Sequence, residues 1–292
     1  MISNNTKLQS ALNELISQRN PVEDLKHDPL SFVHRYQTLV DREIAAVFAA
    51  TLAYGRVALF FPVIANILDL SDLHGGPENW IRSFSKKHLQ PISSYYYRLN
   101  KHPDFALLAL GLQGILEHYP SVYACFKENI NPRDYHYDQA LEQLIQKIKK
   151  YALHKGQALN LCSTLPKSFL HMLSLPSSGS ACKRWNMFLR WMIRQEYPDL
   201  GCWPLSPSKL TIPLDTHVHK ISLLVGLCKR KSANMKTAKE ISNNLRKFDA
   251  YDPIRYDFGI AHMGISGKCQ KKHIPAICSI CPLEQVCTME AS

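Results

Sequence analysis

CQKKHIPAICSICPLEQVC, residues Cys269 to Cys287, packs four cysteines into nineteen residues near the end of a 292-residue chain. The gaps between them hold eight, two and five residues. Four thiolates that one loop can gather suit either Zn²⁺ or a [4Fe–4S] cluster. Structural zinc sites usually pinch the metal between two short Cys-x2–4-Cys arms. Here one such arm runs from Cys278 to Cys281, while Cys269 and Cys287 stand off singly, as around a cuboidal cluster wrapped by one loop. The expectation is a [4Fe–4S] cluster with a structural role, and zinc is the alternative.

The rest of the chain gives that loop a setting. The residues are 46% hydrophobic, enough for a sizeable core in two closely packed lobes. There are 35 Lys and Arg against 24 Asp and Glu, a formal charge of +11. An excess of that size points to a polyanionic partner, most simply nucleic acid, with an ordinary basic surface as the equal alternative. MISNNTKLQS, at the start, lacks the charged-then-apolar layout of a signal peptide. The most apolar run, VALFFPVIANIL, is too short to span a bilayer and carries Pro62. A cytosolic protein is expected, in which nine cysteines are not disulfides. Cys125, Cys162, Cys182, Cys202 and Cys228 are scattered and read as buried thiols.

Periodicity reads as mostly helical, and alternating strand patterns are absent. REIAAVFAATLAYG forms a helix that stops at Gly55. In YDQALEQLIQKIKKYALHKG, Leu141, Leu144, Ile145, Ile148 and Ala152 form one stripe, and Gly156 is expected to end it. KTAKEISNNLRKF and PIRYDFGIAHMGI also read as helices, the second with Pro253 in its first turn. CKRWNMFLRWMIR sets Trp185, Phe188, Leu189 and Met192 on one side and Lys183, Arg190 and Arg194 on the other. That second side is expected to be a solvated charged face or, more sharply, a basic ridge for a phosphate backbone. LPSSGS and CWPLSPSKLTIP read as loops.

Two further segments carry candidate chemistry. LDTHVHKI, Leu214 to Ile221, sets Asp215 just ahead of a helix, where an Asp ordinarily accepts N–H bonds as a cap. LPSSGSACKR, Leu175 to Arg184, is a turn that leads into the Lys183 helix.

Together with the cysteine loop, these segments resemble the helix-hairpin-helix superfamily of DNA glycosylases, the endonuclease III group in particular. That group ends in a Cys-x6-Cys-x2-Cys-x5-Cys loop. The last two spacings match, and the first gap is two residues longer here, which reshapes Gln270 to Ile277. FGIAHMGISGKC, with His262-Met263-Gly264, resembles the family's helix leading into the first cysteine. LDTHVHKI resembles the segment whose Asp is the catalytic carboxylate, which implies that role for Asp215. The family's Leu-Pro-Gly-x-Gly hairpin is matched by Leu175, Pro176 and Gly179, with Ser177 replacing its first Gly. The resemblance implies a nucleophilic Lys at the start of the next helix, here Lys183, with Lys209 as the stand-in. Lys183 and Asp215 are 32 positions apart, a long spacing that resembles the archaeal 8-oxoguanine glycosylase branch, which lacks the cluster. The chain looks most like a bacterial family that combines both features.

The resemblance implies an all-α, two-lobed fold. A central helical barrel lobe would span residues 40–209. A cluster-bearing lobe would combine residues 1–39 with 210–292. The implied activity is hydrolysis of the N-glycosidic bond of a damaged base in double-stranded DNA, extended to strand cleavage if Lys183 forms a Schiff base. The alternative is a binding module of the same fold that lost the chemistry. Implied DNA contacts are Gly179, Ser180, Arg184, Tyr54, Arg56 and Lys268, with the chain acting as a monomer. Cys269, Cys278, Cys281 and Cys287 would hold the cluster.

Overall fold

The computed structural model describes residues 4–265, 267, 269–270 and 272–289. The chain is mostly helical. The longer helices, together with the short α6, are α1 (Asn4–Ser17), α2 (Leu39–Leu52), α3 (Val57–Asp72), α4 (His102–His118), α5 (Asp138–Ala158), α6 (Lys167–Met172), α7 (Lys183–Ile193), α8 (Thr216–Leu224), α9 (Met235–Leu245) and α10 (Asp257–Ile265). Shorter helical turns lie between them. One two-residue antiparallel pairing, Tyr96–Tyr97 with Asn100–Lys101, has no counterpart in the sequence reading. Two residues per strand give periodicity nothing to register. Among the described residues no helix is long and apolar enough to cross a membrane.

α2 is a hub of the helical packing. The Thr38 hydroxyl caps it by accepting from the Asp41 N–H at 3.2 Å. Every residue from Glu43 to Leu52 is then buried, so this helix meets neighbours all round rather than on one stripe. α7 packs across it. α4 and α5 pair closely because glycines remove the side chains between them. A Cβ on Gly111 would stand 2.8 Å from the Ile148 carbonyl, and one on Gly114 would stand 2.4 Å from the Tyr151 side chain. Gly156 does the same against Leu107, and α5 runs past it to Ala158. The expected stop at Gly156 is therefore corrected: that glycine serves a close helix approach. α10 likewise starts at Asp257, four residues after Pro253, and the intervening segment is turn.

The long segment between α7 and α8 is a packed strap. Trp203 is fully buried and stacks near Tyr123, Phe126 and Phe188. Its indole N–H donates to Glu43 Oε1 at 2.8 Å. Glu43 also accepts the N–H groups of Val122 and Tyr123, each at 2.8 Å. Burial pushes the Glu43 carboxyl up to about 7, against those hydrogen bonds.

The charged side of the Lys183 helix differs most from expectation. Arg190 and Arg194 are buried, at 4% and 6% exposure, and neither forms a solvated face or a ridge for phosphates. Arg190 pairs with Asp199 at 3.2 Å and Asp257 at 2.5 Å. Arg194 pairs with Asp199 at 3.1 Å and Asp252 at 2.6 Å. The strap supplies Asp199, and the C-terminal segment supplies Asp252 and Asp257. The two guanidiniums thus clamp the strap and α10 onto α7.

α1 packs on α10 and on the last turn, Glu284–Val286. Gln9 donates to the Phe248 carbonyl at 3.0 Å, and the Tyr256 hydroxyl donates to Asn13 at 3.1 Å. Leu30–Val33 packs instead on α2. Of the scattered cysteines, Cys125, Cys182 and Cys228 are buried, and Cys162 and Cys202 are half-buried; all five are free.

Candidate functional site

α6, a short 3₁₀ turn at Pro176–Ser178 and α7 form two helices joined by a tight connection. The Trp185 indole N–H donates to the Met172 carbonyl at 3.2 Å and ties the helices together. Gly179 closes the turn with φ +80, a conformation that favours glycine, and open space surrounds its Cα. Ser177, which stands where a glycine was expected, donates its hydroxyl to Glu142 of α5 at 2.5 Å. The Ser177 N–H donates to the same carboxylate at 2.9 Å. The serine therefore anchors the turn to α5. The Ser180 hydroxyl accepts from the Cys182 N–H at 3.2 Å, and Lys183 follows as the first residue of α7.

Asp215 caps α8. Its Oδ1 accepts from the N–H groups of His217 and Val218 at 2.9 and 2.8 Å. Its Oδ2 lies 3.4 Å from Lys183 Nζ. Two residues 32 positions apart in the chain thus meet. Both line a cavity of about 570 Å³ and a second of about 1060 Å³. The side chains are 35% and 18% exposed, so the pair is reachable yet partly shielded.

Tyr54, Gly55 and His217 line both cavities as well. The Tyr54 hydroxyl donates to Asn100 Oδ1 at 2.7 Å. The guanidiniums of Arg184 and Arg98 lie 5.2 and 5.5 Å from the Tyr54 ring centre. Arg184 also donates to the Thr51 carbonyl at 2.8 Å and to the His171 carbonyl. Its side chain is thus committed to joining α7, α6 and the end of α2, and burial works against its charge. Arg56 is exposed on the larger cavity. Lys209 donates to the Pro132 carbonyl at 2.8 Å and lines neither cavity. His217 was not singled out from sequence. Its ring lies against Gly264, where a Cβ would stand 2.5 Å away, and its Nδ1 is buried without a partner among the described residues. The signal was the glycine of the His262-Met263-Gly264 stretch, which makes room for that imidazole.

Asp28, Asp257, His262 and Arg190 line the larger cavity too. Burial pushes the Asp257 carboxyl up to about 6 despite Arg190, and burial then Arg19 push the His262 imidazole down to about 4.

Cys269, Cys278, Cys281 and Cys287 all line one small cavity of about 90 Å³. Its other walls include Ile221, Leu224, Val225 and Met263. Burial pushes the Cys281 thiol up, the Leu283 N–H opposes that, and the thiols of Cys269, Cys278 and Cys287 add to the rise. Four cysteines that line one largely apolar cavity suit a group that binds them as thiolates. Among the described residues, no three His, Cys, Asp or Glu side chains are grouped as a single metal ion would need. Lys268, expected on the DNA face, and Lys271 lie outside the described residues.

No curated protein and no solved structure matches the chain. Residues 28–266 match the model of a family described as a protein of unknown function, DUF2400. That span takes in the hairpin, Lys183 and Asp215 and stops short of the first loop cysteine. It covers well over half of the sequence, and the chain belongs to the DUF2400 family.

Proposed function

We propose that the chain is a DNA glycosylase of helix-hairpin-helix type, with Lys183 and Asp215 as its working pair. The observation that carries this is the 3.4 Å approach of Lys183 Nζ to Asp215 Oδ2 at the mouth of two cavities. The α6–turn–α7 hairpin beside the pair supports a DNA partner at Ser180 rather than at Gly179, whose N–H already donates to the Pro176 carbonyl at 3.2 Å. The formal charge of +11 agrees with a polyanion.

The division of labour within Asp215 supports the chemistry. Oδ1 is occupied by the first-turn N–H groups of α8, which fixes the carboxylate rigidly. Oδ2 is left for the reaction. Cleavage of an N-glycosidic bond develops positive charge on the sugar, and a fixed carboxylate beside it lowers that barrier. The damaged base leaves the stack for the cavity and departs with the bonding electron pair and a proton. Lys183, once it has given a proton to Oδ2 or to water, attacks the anomeric carbon through its nitrogen lone pair. Ring opening then gives a Schiff base, from which the strand is cut by elimination. If water attacks in place of Lys183, the product is an intact abasic strand.

The spacing favours a [4Fe–4S] cluster over a zinc ion, since only Cys278 and Cys281 form a short arm. Cys269, Cys278, Cys281 and Cys287, which line one cavity, would hold it. The bound cluster would staple the C-terminal loop to α8 and α10, and no step of the reaction passes through it.

The test is a single-turnover assay on duplexes carrying 8-oxoguanine or an abasic site, read as base release and strand nicking. Asp215→Asn is expected to lower the rate about 10²–10³-fold, the usual effect of losing one preorganised electrostatic group. Lys183→Gln is expected to abolish nicking. Tight binding without turnover, unchanged in Lys183→Ala, would favour a binding module instead.

A further inference from the structure

We infer that the loop between α8 and α9 is a second phosphate-binding element, which holds the DNA backbone beside the hairpin. This rests on the DNA reading above. The stretch LCKRKSANMK, Leu227 to Lys236, brings Lys229, Arg230, Lys231 and Lys236 to the surface, and all four are exposed. Arg230 is paired with Glu240 at 3.0 Å. Lys229, Lys231 and Lys236 have no ion-pair partner among the described residues, so three exposed lysines of this one stretch are left without an acidic neighbour to neutralise them.

The loop is built to hold that shape. His219 donates to the Arg230 carbonyl at 2.8 Å. The Thr237 hydroxyl donates to the Ser232 carbonyl at 2.6 Å, and Asn244 donates to the Leu227 carbonyl at 2.9 Å. The Lys229 N–H donates to Glu240 at 3.0 Å. Asn234 caps α9 by accepting from the Thr237 N–H at 3.1 Å.

Its place points to duplex DNA. The Met235 N–H donates to the Gly179 carbonyl at 3.3 Å, so the loop adjoins the hairpin turn. Ala233 lines the same cavity as Lys183 and Asp215. On its other side the loop follows Leu224 and Val225, which wall the cysteine cavity. A strand whose nucleotide enters the Lys183 cavity would run its phosphates past this loop. The loop offers a membrane no anchor, since no large exposed hydrophobic side chain lies between Tyr197 and Tyr251.

The experiment measures affinity for a duplex with a stabilised abasic site, from 50 to 200 mM salt, using the full chain purified anaerobically. Each phosphate contact adds about 0.9 to the slope of log affinity against log salt. Lys229→Ala/Lys231→Ala/Lys236→Ala is expected to flatten the slope by about 2 to 3. The triple Lys→Arg variant is expected to keep the parental slope, which separates charge from folding. A parental protein that binds DNA with the same slope as the alanine variant would overturn the inference and leave the glycosylase reading standing. A parental protein that ignores the duplex at every salt would overturn both.

Discussion

Asp215 caps α8 through Oδ1, and the proposed chemistry gives its Oδ2 a second job. Asn caps a helix about as well as Asp. Asp215→Asn is therefore expected to change stability by less than about 0.5 kcal/mol, whereas Asp215→Ala costs about 1 kcal/mol through the lost cap. Paired melts and single-turnover rates check this, because only activity should fall steeply in the Asn variant. The cap was legible in LDTHVHKI, since an Asp ahead of a helical run has one common use. Its meeting with Lys183 was not legible from spacing, because that contact depends on how the strap between them folds. Glu43 gives a second test at this scale. Its folded carboxyl sits at about 7, above the ordinary Glu value of 4.5, so the folded state holds the extra proton between those limits. Its contribution therefore falls as pH rises from about 4.5 to 7, by up to about 3 kcal/mol. Glu43→Gln should flatten that part of a melting-temperature profile against pH. An unchanged slope would place the titration elsewhere.

At the scale of elements, helix pairing rests on missing side chains. Gly111→Ala would press a methyl against the Ile148 carbonyl, 2.8 Å away, and backbone cannot swing aside. The expected loss is about 1–3 kcal/mol by urea denaturation. The sequence showed the stripe on α5 but hid this glycine contact, since Gly156 reads locally as a stop signal and acts as a contact surface. The cysteine loop was read from spacing alone, and its four thiols do line one cavity. Anaerobically purified protein is expected to carry roughly four irons and matching sulfide, with visible absorbance. Cys278→Ser should lose both. Stoichiometric zinc without iron would contradict this account of the loop.

Across the whole molecule, Arg190 of α7 and Arg194 at its C-terminal end connect parts that the linear sequence keeps apart. Periodicity correctly placed Arg190 and Arg194 on one side of the helix. It gave no sign that the strap and α10 cover that side, because cover is a property of segments far along the chain. Arg190→Ala would strand Asp257 as a buried carboxylate and leave Asp199 to Arg194 alone, at a cost of about 3–5 kcal/mol in equilibrium unfolding. The same clamp holds α10 to the Lys183 helix, and α10 packs on the helix that Asp215 caps. The most direct measurement is borohydride trapping on a duplex with an abasic site or 8-oxoguanine, followed by peptide mapping of the adduct. The account predicts a covalent protein–DNA adduct at Lys183 that disappears in Lys183→Gln. An adduct at another lysine, or a trapped species that survives Lys183→Gln, would contradict it.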